Sequence, residues 1–460
     1  MESPRSGRAQ RVCGTCRTRK RGCDKRLPRC GFCFSRGYAY ACDYTEALVP
    51  DASSTAGLPY NGPRKLIGSL SLDSTVKAQV DSIFKAMDLT PQMVEQRYFR
   101  DFHPSLPIIA PQTSPCRIHH GLERAPADAA ILVLAMLLVS HQLPTADSLY
   151  SALRKLVVSV QDSRGASIAV VQAQLLIGGF EHAHGWVEKS YVSVGVCASL
   201  ARILRINVNR TGGFSADSTH KGLADQEAWN LWWGIIVLES VVLSELPHVL
   251  ARSIAEDLEE GVSLPSDLVE LPGTPTWSPS RDAMFHSPAE NVSRFGRQVQ
   301  AVLLLSRAVR LSRRPLEPDG SLSRLKALDK QTKVFIGLLL KEGIQASNSR
   351  EGALPIAVRS LFVLHEDFVE NSRPLLSADD IDWSWATLDT VVTMLIDAAY
   401  DHMRESACPH ALLLCCAANL RSSSKHMSRY NVGGSKDLDA GVLRDLEVVV
   451  SAVRRCGTHV

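Results

Sequence analysis

Six cysteines near the start of the chain carry the clearest chemistry in the sequence. They are separated by 2, 6, 6, 2 and 8 residues and form two similar halves, each a C-x2-C pair followed by a third cysteine. The six positions are Cys13, Cys16, Cys23, Cys30, Cys33 and Cys42. A C-x2-C pair brings two thiolates to one ion from a tight turn, and structural zinc takes four such ligands in a tetrahedron. The pattern therefore predicts a zinc site.

The number of cysteines favours two zinc ions over one. Two tetrahedral ions need eight ligand positions, which six thiolates supply only if two of them bridge both ions. The alternative is a single zinc on Cys13, Cys16, Cys30 and Cys33, which leaves the other two cysteines without a role. The segment offers almost no other core, so metal binding must supply its folding free energy. We expect the segment to be unfolded without zinc.

Disulfides explain the same cysteines poorly. The first twenty residues are polar and arginine-rich with no apolar signal segment, which indicates a reducing intracellular compartment. A redox role for either C-x2-C pair would need a surrounding βαβ pattern, and the sequence shows none. The remaining six cysteines are scattered along the chain and are interpreted as ordinary buried thiols.

Basic residues are concentrated in the same part of the chain. Residues 1–44 hold eleven Lys and Arg against three Asp and Glu, a net charge of +8, whereas the rest of the chain sums to −5. Neutralising a polyanion requires clustered charge, so a nucleic acid is predicted to bind this part only. The basic run between Cys16 and Cys23 is long enough for about a turn and a half of helix. Its alternative interpretation is a nuclear-import signal or a solvated charged face.

Residues 13–42 resemble the fungal zinc binuclear cluster (Zn₂Cys₆) family of transcription factors. The resemblance rests on CGTCRTRKRGCDKRLPRCGFCFSRGYAYAC, which has all six cysteines, the basic run and Pro28 between the halves. It implies two zinc ions per chain, bound by the six cysteines, with Cys13 and Cys30 shared between the ions. It also implies double-stranded DNA containing a CGG-like triplet as the partner, and the nucleus as the location.

The same resemblance assigns roles to the cations of the basic run. It implies that Lys20 reads bases, with Arg19 beside it, because lysine and arginine donate to guanine O6 and N7 in the major groove. Phosphate contacts, which position a module without specifying sequence, are implied for Arg17, Arg21, Lys25 and Arg26. The chain departs from the family at Gly22, since a lysine or arginine usually precedes the third cysteine. We expect the groove contacts to differ in detail there.

A tether is predicted to separate this module from the rest of the chain. Residues 44 to about 73 are rich in Ser, Pro, Gly and Ala, a composition typical of a flexible linker. The predicted domains are a DNA-binding domain at 1–44, a flexible linker at 45–89 and a regulatory domain at 90–460. Apolar positions between 64 and 90 do not sustain three heptads, so no dimerising coiled coil is predicted there. A homodimer is left open.

Helical periodicity dominates the regulatory domain. Apolar residues recur at three-and-four spacing and alternating strand patterns are scarce. The segments with this spacing are 129–141, 147–161, 167–180, 187–204 and 226–243. The predicted fold class is mainly α, a small Zn₂Cys₆ module tethered to a large all-α domain of ten or more helices. The longest apolar run, residues 129–139, is shorter than the roughly 20 residues of a membrane-spanning helix, so no membrane partner is expected.

Three segments of this domain resemble the fungal-specific transcription factor domain, or middle homology region. They are YFRDFHPSLPII at 98–109, ASIAVVQAQLLI at 166–177 and WNLWW at 229–233. The resemblance spans about residues 95–270 and implies a domain that regulates or recruits transcription machinery or co-regulators. The tryptophans of the third segment are interpreted as core aromatics on one helix. Whether the domain binds a small-molecule inducer is left open.

These features together predict a sequence-specific RNA polymerase II transcription factor and not an enzyme. Residues 90–460 contain no G-x-S-x-G, G-x-x-x-x-G-K, H-E-x-x-H or strand-linked G-x-G-x-x-G motif, so the usual catalytic signals are missing. Two alternatives remain: a zinc-dependent scaffold that binds RNA or protein, and an enzyme with a DNA-targeting zinc module. Analogy with short family members indicates a pathway-specific regulator of fungal metabolic genes, such as a secondary-metabolite cluster.

Overall fold

A computed structural model of the chain describes its two compact units separately. The described residues are 12–13, 16, 21–26, 30–36, 72–116, 125–141, 146–206, 219–246, 253, 264–265, 267–268, 292–313, 321–345, 352–372, 377–405 and 418–426. The first compact unit is Met1–Gly68 and the second is Ser69–Val460. Helices are the regular elements throughout these residues, and no β-strand occurs among them.

The described residues of the first unit form almost no apolar core. Its helix α1 (Gly31–Ser35) begins after Cys30, whose sulfur lies 3.5 Å from the backbone nitrogen of Cys33 and caps the first turn. Its buried cluster consists of Cys13, Cys16, Cys30 and Cys33, with Cys23 and Phe32 packed against it. A unit of this kind depends on a bound metal for its stability because it buries so little aliphatic surface.

Eleven α-helices form the second unit as far as it is described. They are α2 (Leu72–Ala86), α3 (Pro91–Asp101), α4 (Ala127–Ser140), α5 (Ala146–Arg164), α6 (Ile168–Ala183), α7 (Val187–Ile203), α8 (Thr219–Leu243), α9 (Arg294–Ser312), α10 (Ser321–Gln345), α11 (Ala353–Ser372) and α12 (Ala378–Glu405). Two short 3₁₀ helices, His103–Ser105 and Pro111–Thr113, follow α3, and residues 418–426 are also helical. None of the described helices is long and apolar enough to cross a membrane.

Helices α4 and α6 lie at the centre of the second unit. Every residue of α4 except Asp128 is buried, and α6 is buried from Val170 to its last residue. A helix that is apolar on all sides belongs in the middle of a core. Helix α4 packs against α3 and α6, α6 packs against α7, and α9 packs against α11. The predicted mainly α fold is confirmed, and the five predicted helical segments coincide with α4 to α8.

The structure differs from the predicted linker at its C-terminal end. Residues 72–86 form α2, and its buried residues Val76, Val80 and Phe84 belong to the main core. These residues are four apart, so they share one face of the helix and pack inward together. Any tether therefore ends before α2, and residues 45–71 lie outside the described part of the chain.

An irregular segment between α3 and α4 runs through the core and is held by polar side chains. The Gln172 amide donates to the Ile108 carbonyl at 2.8 Å, and the Asn230 amide donates to the Pro107 carbonyl at 2.9 Å. Buried backbone carbonyls need such partners where no helix supplies them. Trp233, in the predicted tryptophan segment, is 1% exposed and packs in this core.

A largely buried carboxylate, that of Glu245, links the end of α8 to two other parts of the unit. Glu245 Oε1 lies 2.5 Å from His182 Nε2 of α6, and Glu245 Oε2 accepts from Arg421 Nε at 3.1 Å. Arg359 of α11 donates to the Ser244 carbonyl at 2.8 Å and to the Ser422 hydroxyl at 2.5 Å. Residues 418–426 are thus attached to the helical core by polar contacts, and Leu420 is buried in the same core.

Substitution by alanine is expected to have opposite effects on stability at two helical glycines. A methyl group at Gly234 would lie 2.7 Å from Ile108 Cγ2 and 3.2 Å from Leu175 Cδ2, whereas nothing lies within 4 Å of one at Gly337. We expect Gly234→Ala to lower the free energy of unfolding by about 1 to 3 kcal/mol through overpacking. Gly337→Ala should raise it by about 0.5 to 1 kcal/mol because alanine favours helix. Urea unfolding of both variants checks the pair, and equal effects would contradict the described packing.

Candidate metal centre

Four of the six predicted zinc ligands lie together in the first unit. The sulfur atoms of Cys13, Cys16, Cys23 and Cys30 all lie within 4.8 Å of one another. The distances are 3.8 Å from Cys13 to Cys30, 3.6 Å from Cys16 to Cys30, and 3.9 Å from Cys23 to Cys13. All but Cys23, which is half-buried, are shielded from solvent.

This arrangement of thiols fits a tetrahedral zinc ion. Ligands at about 2.3 Å from a central ion lie about 3.8 Å apart along the edges of a tetrahedron. The sulfur–sulfur distances of 3.6 to 3.9 Å match that edge. Burial raises the pKa values of the Cys13 and Cys16 thiols, because it disfavours the charged thiolate.

Cys33 lies beside this group and contacts two of its members, Cys30 through its backbone nitrogen and Cys13 through its sulfur. Its sulfur is 3.9 Å from that of Cys13, a distance that also matches a tetrahedral edge. The Cys13 sulfur therefore contacts the sulfurs of both Cys23 and Cys33. The single-zinc alternative leaves out Cys23, whereas the described group includes Cys23 and places Cys33 outside it. Cys42, the sixth predicted ligand, lies outside the described residues.

Backbone hydrogen bonds fix the cysteines in the two halves. In the first half, the Arg21 N–H donates to the Cys16 carbonyl at 2.9 Å. In the second half, the Phe34 N–H donates to the Cys30 carbonyl at 2.9 Å in the first turn of α1. In each half, the carbonyl of a cysteine of the thiol group thus accepts a backbone hydrogen bond from a residue further along the chain.

Asp24 joins the two halves and was not predicted from the sequence. Its Oδ1 accepts a hydrogen bond of 2.8 Å from the Gly31 N–H at the start of α1, and its Oδ2 lies 3.5 Å from Arg26 Nε. The hydrogen bond from Gly31 is the largest of the interactions that lower the pKa of Asp24. The available sequence signal is an aspartate directly after the third cysteine and a glycine directly after the fourth.

The predicted DNA-contacting residues are only partly described. Arg21 and Arg26 are exposed and Lys25 is half-buried. Lys25 has a φ of 60°, which is uncommon for a residue with a side chain and marks a sharp turn between Asp24 and Arg26. Arg17, Arg19 and Lys20, including the predicted base-reading residue, lie outside the described residues.

The described cysteines of the second unit take no part in a comparable group. Cys116 is half-buried and Cys197 is buried, and burial raises the pKa of both thiols. They behave as ordinary packing residues with inert thiols. Across the described stretches of both units, the cysteine group of the first unit is the one set of three or more His, Cys, Asp or Glu side chains able to hold a metal ion.

Comparison with known proteins gives one result for this part of the chain. Residues 11–49 match the family model described as the fungal Zn(2)-Cys(6) binuclear cluster domain. Neither the curated proteins nor the solved structures gave a match. The family match ends at residue 49, so the resemblance of residues 95–270 to a fungal-specific transcription factor domain stays a prediction. The chain carries a fungal Zn(2)-Cys(6) binuclear cluster domain, a module that binds two zinc ions and is typical of DNA-binding regulators.

Proposed function

We propose that this protein is a sequence-specific DNA-binding regulator of RNA polymerase II transcription that acts in the nucleus. The observation that carries the proposal is the group of four thiols at tetrahedral spacing inside a segment that matches the binuclear cluster domain. A module stabilised by metal presents a rigid surface although it has almost no apolar core. Its local charge of +8 suits a polyanion such as double-stranded DNA.

The proposed ligand set uses all six cysteines. Cys13, Cys16, Cys23 and Cys30 would hold one ion, and Cys33 and Cys42 would hold the other together with shared Cys13 and Cys30. The contact of Cys13 with both Cys23 and Cys33 supports its place as a shared ligand. Zinc at these positions supplies structural cross-links and no catalytic chemistry.

The proposed DNA contacts divide into two kinds. Lys20, with Arg19 beside it, would read the guanines of a CGG-like triplet in the major groove. Arg17, Arg21, Lys25 and Arg26 would contact phosphates. Arg21 and Arg26 are exposed, as side chains that contact phosphates must be.

We further propose that the second unit regulates the module. It is an all-α domain, and nothing in the sequence gives it a catalytic motif. The proposed division is a DNA-binding domain at 1–44, a tether that ends before α2, and a regulatory domain to residue 460. By analogy with short members of the family, its targets would be fungal metabolic genes such as a secondary-metabolite cluster.

The proposed function predicts different effects for Lys20 and Lys25. Lys20→Ala should reduce discrimination between a CGG duplex and a scrambled duplex by about 1 to 3 kcal/mol, because a base contact is lost. Lys25→Ala should weaken binding to both duplexes equally, because only a phosphate contact is lost. The slope of log K against log salt concentration should then fall in magnitude by about one. Titration of full-length protein with both duplexes at several salt concentrations measures this.

Two results of these titrations would contradict the proposed function. Equal binding of both duplexes by the wild type would rule out sequence-specific reading and redirect the search to RNA or protein partners. The assignment of base reading to Lys20 and phosphate contact to Lys25 would be wrong if Lys25→Ala lost discrimination between the duplexes while Lys20→Ala kept it.

A further inference from the structure

We propose that Asp24 is a positioning residue of the cysteine module, which sets α1 of the second half against the turn that ends the first half. The inference rests on the proposed function, because the surface that Asp24 would shape is the one proposed to read DNA. It concerns a residue that is neither a zinc ligand nor a base-reading residue.

The contacts of Asp24 connect the two halves directly. Asp24 follows Cys23, the third cysteine, and its Oδ1 accepts a 2.8 Å hydrogen bond from the N–H of Gly31, which follows Cys30. That N–H is the first of α1 and has no partner within the helix. A carboxylate at a helix N-terminus also interacts favourably with the helix dipole. Asp24 therefore cross-links two segments whose cysteines both belong to the described thiol group.

The fit between Asp24 and Gly31 is close. A methyl group at Gly31 would lie 2.9 Å from Asp24 Oδ2, closer than a carbon atom normally approaches an oxygen that is not bonded to it. Gly31 has no positive φ among the described glycines, so glycine is required there for the approach of Asp24 and not for its backbone conformation. The two residues are thus expected to depend on each other.

Asp24 also sits at the base of the turn that carries two of the proposed phosphate contacts. Its Oδ2 lies 3.5 Å from Arg26 Nε, and Lys25 between them turns the chain with a φ of 60°. A displaced Asp24 would move this turn together with α1. Because groove contacts require side chains placed within a fraction of an ångström, such a shift is expected to reduce sequence discrimination more than total affinity.

Asn and Ala variants of Asp24 separate the hydrogen bond from the charge. Both variants lose the negative charge, but Asn keeps an oxygen that can accept from the Gly31 N–H. In the zinc-loaded full-length protein, we expect Asp24→Ala to release zinc to the chromophoric chelator 4-(2-pyridylazo)resorcinol about tenfold faster than the wild type, as for loss of a charge-assisted hydrogen bond. Asp24→Asn should stay within about threefold of the wild type.

DNA titration gives a readout that a purely structural role would not change. The ratio of the Kd values for scrambled and CGG duplexes should fall about tenfold in Asp24→Ala and stay near the wild-type ratio in Asp24→Asn. Gly31→Ala should also accelerate zinc release, and combining it with Asp24→Ala should add little, since the close contact is then already gone.

Three results of the zinc-release series would overturn the inference. They are zinc release from Asp24→Ala at the wild-type rate, equal defects in the Asn and Ala variants, and fully additive effects of Asp24→Ala and Gly31→Ala. Faster zinc release with an unchanged Kd ratio would also overturn it, because Asp24 would then stabilise the module without positioning its DNA-binding surface. If the wild type shows no CGG preference, the proposed function fails, and the zinc-release series still tests the link between Asp24 and Gly31.

Discussion

Replacing Cys30 by serine is expected to remove both zinc ions and reduce binding to a CGG duplex to the non-specific level, about 10³-fold or weaker. The proposed ligand set makes Cys30 a ligand of both ions, and its sulfur also caps α1. Structural zinc contributes on the order of 10 kcal/mol to the folding of such a module. Loss of one shared thiolate therefore removes the main source of its stability.

Cys116→Ser is the matched control for this substitution. Cys116 lies in the second unit, half-buried and outside the thiol group, so its variant should keep two zinc ions and wild-type DNA binding. Inductively coupled plasma mass spectrometry and duplex titration on the same samples measure both quantities. Two zinc ions in Cys30→Ser, or an equal loss of zinc in Cys116→Ser, would contradict the ligand assignment.

Glu245→Gln is expected to destabilise the second unit by about 3 kcal/mol, because removing one member of a buried charged group leaves its partners uncompensated. His182 is fully buried and Arg421 is partly buried beside Glu245. Thermal unfolding of the full-length protein, followed by calorimetry at neutral pH, measures the loss. Glu188→Gln is the control: Glu188 is exposed on α7, so its variant should unfold within about 0.5 kcal/mol of the wild type.

The pH dependence of the same variant tests the electrostatic origin of the effect. Burial alone would raise the pKa of Glu245, but His182, Arg359 and Arg421 outweigh it and lower the pKa to about 2. A carboxylate with a lowered pKa stabilises the folded state above its ordinary pKa and loses that contribution as the pH falls through the folded value. The difference between wild type and Glu245→Gln should therefore shrink between pH 4.5 and 2. If the stability difference between wild type and Glu245→Gln stays constant over that interval, its cause is packing and not charge.

The sequence predicted the chemistry of the metal site better than the contacts around it. Cysteine spacing alone indicated the four members of the described thiol group as metal ligands, because the C-x2-C pattern is typical of zinc sites. The link from Asp24 to Gly31 spans seven residues and depends on the backbone turn at Lys25. No local periodicity or propensity indicates such a contact.

In the second unit, the predicted helices were those with strong apolar periodicity. Helix α2 was predicted to be linker because a window rich in Ser, Pro, Gly and Ala precedes it and conceals the spacing of Val76, Val80 and Phe84. The polar contacts of Gln172 and Asn230 with the irregular segment were also not predicted, since both residues lie within apolar stretches of their helices. Such partners are determined by tertiary packing and not by the residues next to them in the sequence.

Native mass spectrometry of the full-length protein, purified without chelator, is the decisive test of the binuclear cluster. We expect two zinc ions per chain, released together when the protein is denatured or the thiols are blocked. A chain that binds a single zinc ion, or none, while the second unit remains folded would contradict the binuclear cluster and the DNA-binding function proposed from it.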